Sequence, residues 1–283
     1  MQALPEVVVA YSKQDPAGSG ISLELSKLLK CEEHVDRGVN ICLARVVGKE
    51  VAVAGFEEDV LYFDFLDKYF EDANYFIVVS RHSAASGISS LTVHHTGNPT
   101  TKAEYGGKAM RLAVANPPIA LSILRALTEI SRQYITSGIE ITYEVTHHGP
   151  TELNKPITFA EIGSSPAEWS HKPYQEIVAK AVYIALSENP PECISSVGIG
   201  GGHYAHQFTE RVFTAGECYG HILSRHVVKE FRDAPERFEY ILRQAVMRSA
   251  VTTKRIVLEG KTPSYIKQIA RSVANNYGLE LLE

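Results

Sequence analysis

Short apolar runs alternate along this chain with stretches whose apolar residues recur at helical spacing, and this alternation limits the possible folds more than any other feature. Residues 75–79 are apolar throughout, as in a strand buried on both faces, and residues 7–10 form a similar run before an amphipathic stretch at 21–29. Strands separated by helices predict a mostly parallel sheet covered on both sides. No internal repeat or linker divides the 283 residues, so we expect one α/β domain over residues 1–283.

The other elements follow from the same two periodicities. Strands are predicted at 39–46, 51–54, 91–93, 111–115, 139–146, 157–162, 193–197 and 255–258. Helices are predicted at 60–70, 117–134, 174–185, 213–231, 235–250 and 263–277, with a further helix start at Ser165-Pro166. The segment from 198 to 211, with four glycines in its first five residues, is expected to be a loop that follows a strand.

Seven of the eleven histidines lie directly after predicted strands. They are His82, His94, His95, His147, His148, His203 and His206. In open α/β sheets, ligands bind beyond the carboxyl ends of the strands. We therefore expect these histidines to converge on one edge of the sheet and to form a site there.

Imidazole and carboxylate groups at one edge suit either metal-assisted or acid–base hydrolysis. A zinc ion in a hydrolase takes about three protein ligands and leaves one position for water. The candidates are His147, His148, His203 and His206, with Glu144 or Glu152 as ligand or general base. No H-E-x-x-H motif fixes the ligand set, and the same groups without metal could act as general acid and base near neutral pH.

The glycine-rich segment at 198–202 offers backbone N–H groups to an oxyanion or a phosphate. No Gly-Lys-Ser/Thr follows it and it makes no convincing dinucleotide fingerprint, so we expect no nucleotide cofactor. Lys261 lies between a predicted strand and a helix start, where it would contact an anion. A solvated loop lysine is the alternative interpretation.

Charge is distributed unevenly along the chain. The net charge of −5 argues against a protein that coats long nucleic acids. Residues 1–100 carry 8 basic and 14 acidic side chains, whereas residues 221–271 carry 11 basic and 5 acidic ones. The basic segment suits a short phosphate-bearing ligand, and solvated helix faces are the alternative.

The sequence also indicates where in the cell the protein is expected. It contains no apolar run long enough to span a bilayer and no signal-peptide pattern at its start, so we expect a cytoplasmic protein with no membrane partner. Cys31, Cys42, Cys193 and Cys218 form no C-x-x-C pair, and we expect them to be reduced thiols rather than disulfides or zinc ligands.

Several of these motifs together resemble the D-aminoacyl-tRNA deacylases of the archaeal and plant type. The resemblance rests on His-His-Gly-Pro at 147–150, Gly-Gly-Gly-His-Tyr at 200–204, Ser-Arg-His-Ser at 80–83 and His-His-Thr-Gly-Asn at 94–98, in order along essentially the whole chain. It implies a three-layer α/β/α fold with a mixed, mostly parallel sheet, phosphorylase/hydrolase-like and related to peptidyl-tRNA hydrolases. It also implies a monomeric, zinc-dependent hydrolase that removes D-amino acids such as D-tyrosine from tRNA.

With this resemblance, our hypothesis gives each candidate residue a role. Catalysis is assigned to His147, His148, His203 and Glu144, and zinc binding to His147, His148, His203 and Glu152. Substrate binding is assigned to His82, His94, His95, Gly200, Gly201, Gly202, Thr209 and Lys261, which would hold the aminoacyl-tRNA acceptor end. The family often has proline where this chain has His206, so no general catalytic role is expected for His206.

Two other functions remain open at this point. A zinc-dependent peptidase or amidohydrolase acting on a small substrate would use the same fold and histidines, but it would have no basic approach to its cavity. A non-catalytic tRNA-binding protein would keep the basic surface, but it would give no reason for so many histidines after strands.

Overall fold

The computed structural model describes residues 5–84, 87–134 and 138–283. Its strands are β1 (Val7–Ser12), β2 (Glu32–Asp36), β3 (Val39–Val46), β4 (Lys49–Phe56), β5 (Tyr75–Arg81), β6 (Ser90–His94), β7 (Gly97–Asn98), β8 (Arg111–Leu112), β9 (Glu140–Tyr143), β10 (Ile157–Gly163), β11 (Ile194–Ile199), β12 (Glu217–Leu223), β13 (Arg255–Leu258) and β14 (Glu280–Leu282). Its α-helices are α1 (Pro16–Leu29), α2 (Leu66–Tyr69), α3 (Pro117–Tyr134), α4 (Pro166–Trp169), α5 (Lys172–Ser187), α6 (His206–Thr214), α7 (Arg225–Glu230), α8 (Pro235–Met247) and α9 (Ser264–Tyr277). A 3₁₀ turn occupies Val60–Tyr62.

The strands form two main sheets rather than one. The larger sheet has the order β2-β3-β4-β1-β5-β10-β6-β9, and the smaller has the order β12-β11-β13-β14. Every pairing in the smaller sheet is parallel. In the larger sheet, β3 pairs antiparallel with β2 and β4, and β10 pairs antiparallel with β6 and parallel with β5. The expected mixed, mostly parallel arrangement is therefore confirmed. A short antiparallel ladder, β7-β8, lies outside both sheets.

Strand β1 shows why the large sheet is covered on both faces. Val7 and Val9 pack into the core beneath α1, α3 and α5, whereas Val8 and Ala10 pack into a second core around Phe63 and Phe70. Because alternate side chains of a strand point to opposite faces, a strand with no polar face must be buried on both sides. The smaller sheet is built in the same way, with α7, α8 and α9 contributing to a third core. These layers confirm the expected α/β/α architecture.

The prediction of one helix over residues 213–231 is wrong. This segment contains the strand β12, which is buried along its whole length, followed by the short helix α7. A fully buried strand shows no alternation of polar and apolar residues, so its period cannot be read from the sequence. The end of the predicted loop at 198–211 is also helical, because α6 begins at His206.

Several smaller differences concern element lengths. Helix α1 starts at Pro16 rather than at residue 21, because the Asp15 carboxylate accepts hydrogen bonds from the N–H groups of Ala17 and Gly18. Residues 60–70 form a 3₁₀ turn and a four-residue helix instead of one helix, and the strand predicted at 111–115 shortens to β8. Strands β2 and β14 were not predicted. No helix in the described part of the chain has the length and apolar character needed to cross a bilayer.

The four cysteines are not free thiols, contrary to expectation. Cys31 is bonded to Cys42, with Cα atoms 5.4 Å apart, and Cys193 to Cys218, with Cα atoms 5.7 Å apart. The bonds join the end of α1 to β3 and the start of β11 to β12. Sequence separations of 11 and 25 residues do not reveal these pairings, because the fold alone brings the Cα atoms within disulfide range.

Candidate functional site

Five histidines and two glutamates meet where the strands of the large sheet end. They are His82, His94, His147, His148, His203, Glu144 and Glu161. We call this group the His–Glu cluster. The structure thus brings together five of the seven histidines that the sequence places after strands.

Strand pairing explains how distant segments reach one place. Strand β10 lies between β5 and β6, so Glu161 of β10 pairs with Ser80 on one side and Thr92 on the other. His82 follows β5 and His94 ends β6, which puts one histidine on each side of Glu161. Each of these two imidazoles has a nitrogen 3.5 Å from Glu161 Oε2.

A short antiparallel contact brings the glycine-rich segment to the same point. Glu144 and Tyr204 form a bridge, the Val145 N–H donates to the His203 carbonyl, and the Ala205 N–H donates to the Tyr143 carbonyl. His203 therefore lies beside Glu144, with its Nε2 3.0 Å from Glu144 Oε2. Gly200 and Gly201 have φ angles of +124° and +79°, so the sharp turn before His203 needs residues without a Cβ.

The two carboxylates are buried and negatively charged. Burial by itself raises a carboxyl pKa, but hydrogen bonds and charge from His203, His94 and His82 outweigh it and lower the pKa of Glu144. Burial also raises the pKa of Glu161, but hydrogen bonds from His82 and His94 outweigh it and hold this pKa well below its ordinary value. Ser80 Oγ also donates to Glu161 Oε1 at 2.7 Å. Both carboxylates therefore need positive charge beside them.

The nearest imidazoles can supply that charge as protons. Burial lowers the pKa of His82 and His94, but Glu161 and Glu144 outweigh it, so both pKa values are raised. Apart from these contacts between histidine and carboxylate groups, His82 Nε2, both ring nitrogens of His94 and both carboxylate oxygens of Glu144 are buried and have no hydrogen-bond partner among the described residues. Unsatisfied groups at this density suit a bound cation or substrate.

His147 and His148 differ from these two imidazoles. His147 Nδ1 lies 2.8 Å from the Val145 carbonyl and His148 Nδ1 lies 2.6 Å from the Gly149 carbonyl. Because a carbonyl only accepts, both Nδ1 atoms carry the proton and both Nε2 atoms keep a lone pair. Burial is the main cause that lowers the pKa of His147 well below its ordinary value and that of His148 to about 4. Both rings are therefore neutral.

The geometry permits a metal ion at more than one position in the cluster. Potential ligand atoms lie within 4.8 Å of one another in three overlapping sets: His82, Glu144, His147 and His203; His94, His147 and His148; and His94, Glu144 and Glu161. The second set includes the two neutral rings whose Nδ1–H groups donate to backbone carbonyls, as metal-binding histidines commonly do. The residues present therefore fit a metal such as zinc.

Two cavities open onto the cluster. The outer cavity, about 640 Å³, is lined by Gly201, Gly202 and the side chains of α7 among others. The inner cavity, about 480 Å³, is lined by His82, Glu161 and two residues of the 3₁₀ turn, Val60 and Leu61, among others. Tyr105, His147, His148 and His203 line both cavities. The cluster therefore lies at the junction between them.

Some of the expected site residues lie outside the cluster. His95 is buried, with its Nδ1 donating to the Gly220 carbonyl and its Nε2 accepting from the Asn116 N–H. The Thr209 hydroxyl contacts the backbone of Tyr143 and Ala205 and so ties α6 to β9. His206 is exposed and pairs with Glu140 at 3.0 Å. These three side chains serve the local structure rather than the cavity walls.

Glu152 does not accompany the histidines. Its carboxylate pairs with Lys108 and with Arg111, so the expectation that it binds the metal finds no geometric support. The Thr151 and Glu152 N–H groups donate to the Asp64 carboxylate, which holds this segment outside the cluster. Lys261 is exposed, and neither cavity includes it. Gly201 and Gly202 line the outer cavity, whereas the Gly200 N–H is used in pairing with Leu223.

Sequence analysis did not identify Glu161. Its neighbours in Ile157–Gly163 form a wholly buried strand in which it is the single acidic residue. A charged residue within such an apolar run was the available signal, because Glu is almost never fully buried unless it is paired. The partners of Glu161, His82 and His94, can be identified only once β5 and β6 are known to flank β10.

Comparisons with known proteins identify the family of this chain. The family model described as D-aminoacyl-tRNA deacylase matches residues 69–282. A curated D-aminoacyl-tRNA deacylase of Staphylothermus marinus is 39% identical, covering 96% of this chain and 97% of the relative. One from Hyperthermus butylicus is 38% identical, covering 97% and 99%. A crystal structure described as a conserved protein of unknown function superposes with a TM-score of 0.89 at 30% identity, covering 100% of this chain and 96% of that one.

Proposed function

This chain belongs to the D-aminoacyl-tRNA deacylase family, and on that premise we propose that its His–Glu cluster hydrolyses the ester bond of D-aminoacyl-tRNA, including D-Tyr-tRNA. The products are the free D-amino acid and tRNA. The observation that carries the proposal is the position of the cluster, where buried, unsatisfied imidazole and carboxylate groups meet at the junction of two cavities.

Zinc is the cofactor that we propose, held by His94, His147 and His148. The Nδ1–H groups of His147 and His148 donate to carbonyls, so both Nε2 lone pairs are free to bind metal. His94 is buried against Glu161, and a metal ion could replace the proton that this carboxylate otherwise holds on the ring. When bound, zinc lowers the pKa of water and polarises carbonyl groups as a Lewis acid.

His203 is the proposed general base. The Glu144 carboxylate faces His203 Nε2 at 3.0 Å. It therefore holds the proton on that nitrogen and leaves Nδ1 as the basic atom, as a buried carboxylate does in other hydrolases. During hydrolysis, water attacks the ester carbonyl carbon and gives a proton to His203. The bond between that carbon and the ribose oxygen then breaks and the ribose oxygen takes this proton from His203. The carboxylic acid so formed loses its remaining proton to solvent and leaves as a carboxylate.

The glycine-rich turn would stabilise the charge that develops on the carbonyl oxygen. Gly201 and Gly202 line the outer cavity next to His203, where the backbone can approach a substrate closely because no side chain intervenes. Fixed N–H donors at such a position contribute strongly in a partly buried site.

The test is to incubate the protein with D-Tyr-tRNA and with L-Tyr-tRNA and to measure the release of tyrosine. Release from the D form, its loss after chelation and its recovery on addition of zinc are the expected results. No release from the D form in metal-replete buffer would contradict the proposed reaction. Equal release from both forms would contradict the chiral preference, and full activity after verified removal of the metal would contradict the role of zinc.

A further inference from the structure

We infer that the two cavities divide the substrate between them: the inner cavity takes the aminoacyl group, and the outer cavity takes the 3′-terminal nucleotides of the tRNA. This inference rests on the proposed function, because it assigns the two ends of the same substrate. It follows from the shared rim of the cavities, from their opposite charge and from the difference in their burial.

The shared rim fixes where the ester bond must lie. His147, His148 and His203 line both cavities, and the proposed general base is among them. A substrate whose reacting bond lies at these side chains has one end on each side of them. The ester of aminoacyl-tRNA joins a small, positively charged amino acid to a large polyanion, so each end can be matched to one cavity by its charge and size.

The charges of the cavity walls are opposite. The inner wall carries the carboxylates of Asp15, Asp59 and Glu161 against the guanidinium of Arg81 and the imidazole of His82, so its net charge is negative even when His82 is protonated. The outer wall carries the cations Lys102, Arg225 and Lys229 against Glu104 and Glu230. The inner cavity therefore favours the α-ammonium group of the amino acid, and the outer cavity favours phosphates.

Two of the outer cations are free to bind phosphate. Arg225 and Lys229 lie one turn apart on α7, both are exposed, and neither makes an ion pair with another described residue. The acidic groups of this wall are already engaged, since Glu230 accepts hydrogen bonds from Thr101 and Glu104 lies 3.7 Å from Lys102. The Arg225 N–H donates to the Gly201 carbonyl, which joins α7 to the glycine-rich turn.

The burial of the walls agrees with this assignment. Asp15, His82 and Glu161 of the inner wall are at most 4% exposed, whereas Lys102, Arg225 and Lys229 lie on the surface. The cations of the outer wall can therefore contact a molecule as large as tRNA, whereas the buried carboxylates of Asp15 and Glu161 can be reached only by a small group inside the inner cavity. The volume of the inner cavity, about 480 Å³, falls in the range of small-molecule sites.

The 3₁₀ turn forms a firm apolar part of the inner wall. Val60 and Leu61 line the cavity, and the Asp59 carboxylate fixes the turn by accepting from the Leu61 N–H at 3.1 Å. The Leu61 carbonyl packs so closely against Gly106 and Gly149 that a Cβ on either glycine would meet it, at 2.1 Å and 2.6 Å. A larger side chain at Leu61 would therefore reduce the cavity rather than displace the turn.

Three variants test the assignment. Leu61→Trp fills the inner cavity. Tyr62→Trp is the matched control, because Tyr62 is the next residue of the turn, is 57% exposed and does not line either cavity. Arg225→Glu combined with Lys229→Glu reverses the charge of the outer wall. For each variant we would measure kcat and KM for D-Tyr-tRNA, the Kd for uncharged tRNA-Tyr by fluorescence anisotropy, and Tm to confirm folding.

The two cavities should respond differently. We expect Leu61→Trp to lower kcat/KM by more than about tenfold through misplacement of the ester, while Kd for uncharged tRNA and Tm stay as in Tyr62→Trp. The double charge reversal should weaken tRNA binding by about tenfold or more, raise KM for D-Tyr-tRNA in parallel and reduce the dependence of both on salt.

Contrary results have distinct meanings. Leu61→Trp with wild-type kcat/KM would overturn the assignment of the inner cavity, as would a loss of tRNA binding equal to that of the double charge reversal. Normal tRNA binding by the double variant would overturn the assignment of the outer cavity. A wild-type protein that hydrolyses no D-Tyr-tRNA would instead contradict the proposed function, so the two failures can be told apart.

Discussion

His221 contacts the residue that precedes His147 of the His–Glu cluster, and its burial makes the free energy of unfolding depend on pH. The side chain is wholly buried, with Nε2 3.0 Å from the Ala113 carbonyl and Nδ1 3.1 Å from Thr146 Oγ1. Nε2 therefore donates, and Nδ1 accepts from the hydroxyl of the residue that precedes His147. Burial lowers the pKa of His221 to about 3, with smaller effects of the same sign from His95 and Arg248.

The sign and size of the effect follow from proton linkage. In the unfolded chain a histidine takes up a proton below about pH 6.5, whereas folded His221 stays neutral down to about pH 3. The unfolded state therefore binds more protons in this window, and the free energy of unfolding decreases as the pH falls. At about 1.4 kcal/mol for each pH unit below 6.5, His221 costs about 2 kcal/mol between pH 7 and pH 5.

The variant His221→Gln removes this titration and can be tested by guanidinium denaturation of metal-free protein at pH 7, 6 and 5. We expect it to be less stable than the wild type at pH 7, with the difference in the free energy of unfolding shrinking by about 2 kcal/mol at pH 5. His226→Gln, which replaces an exposed histidine, controls for the substitution itself. A difference for His221→Gln that stays constant or grows toward pH 5 would refute the reasoning.

Two further predictions concern packing and covalent links. Gly106→Ala places a Cβ 2.1 Å from the Leu61 carbonyl oxygen at a φ of +70°, so it should destabilise the fold by about 1–3 kcal/mol more than Gly38→Ala, which has a φ of +82° and open space. Equal Tm values for the two variants would contradict the close packing of the 3₁₀ turn. Replacing Cys193 and Cys218 together by serine should lower the free energy of unfolding by about 3 kcal/mol, with kcat nearly unchanged. This prediction would be contradicted if the variant were as stable as the wild type, or if a reductant did not change the stability of the wild type.

The glycine-rich segment shows how far the sequence alone could lead. The residue types at 198–203 predicted a loop after a strand, with His203 at a site, and the structure has a turn there that places His203 beside Glu144. The role of the next residues depended on tertiary pairing, because His206 begins α6 and turns toward Glu140 instead of the cavity. His203 and His206 are three residues apart and have different surroundings. The local sequence pattern does not reveal this difference.

Long-range geometry accounts for the residues that sequence analysis misplaced. His94 and His95 are adjacent, but neighbours on an extended segment point in opposite directions, so one joins the cluster and the other binds the backbone of Gly220 and Asn116. Glu161 was missed because its partners come from two other strands. The strand β12 was missed because a completely buried strand lacks a polar face, and the same strand carries His221 and Cys218.

The most direct test of the account compares His203→Ala with His206→Ala in the hydrolysis of D-Tyr-tRNA under saturating substrate. Both side chains are partly exposed, at 44% and 64%, so neither substitution should disturb folding. The account predicts that His203→Ala lowers kcat by at least about 100-fold, as loss of a general base does, and that His206→Ala stays within about twofold of the wild type. Similar activity in the two variants would contradict the assignment of catalysis to the His–Glu cluster.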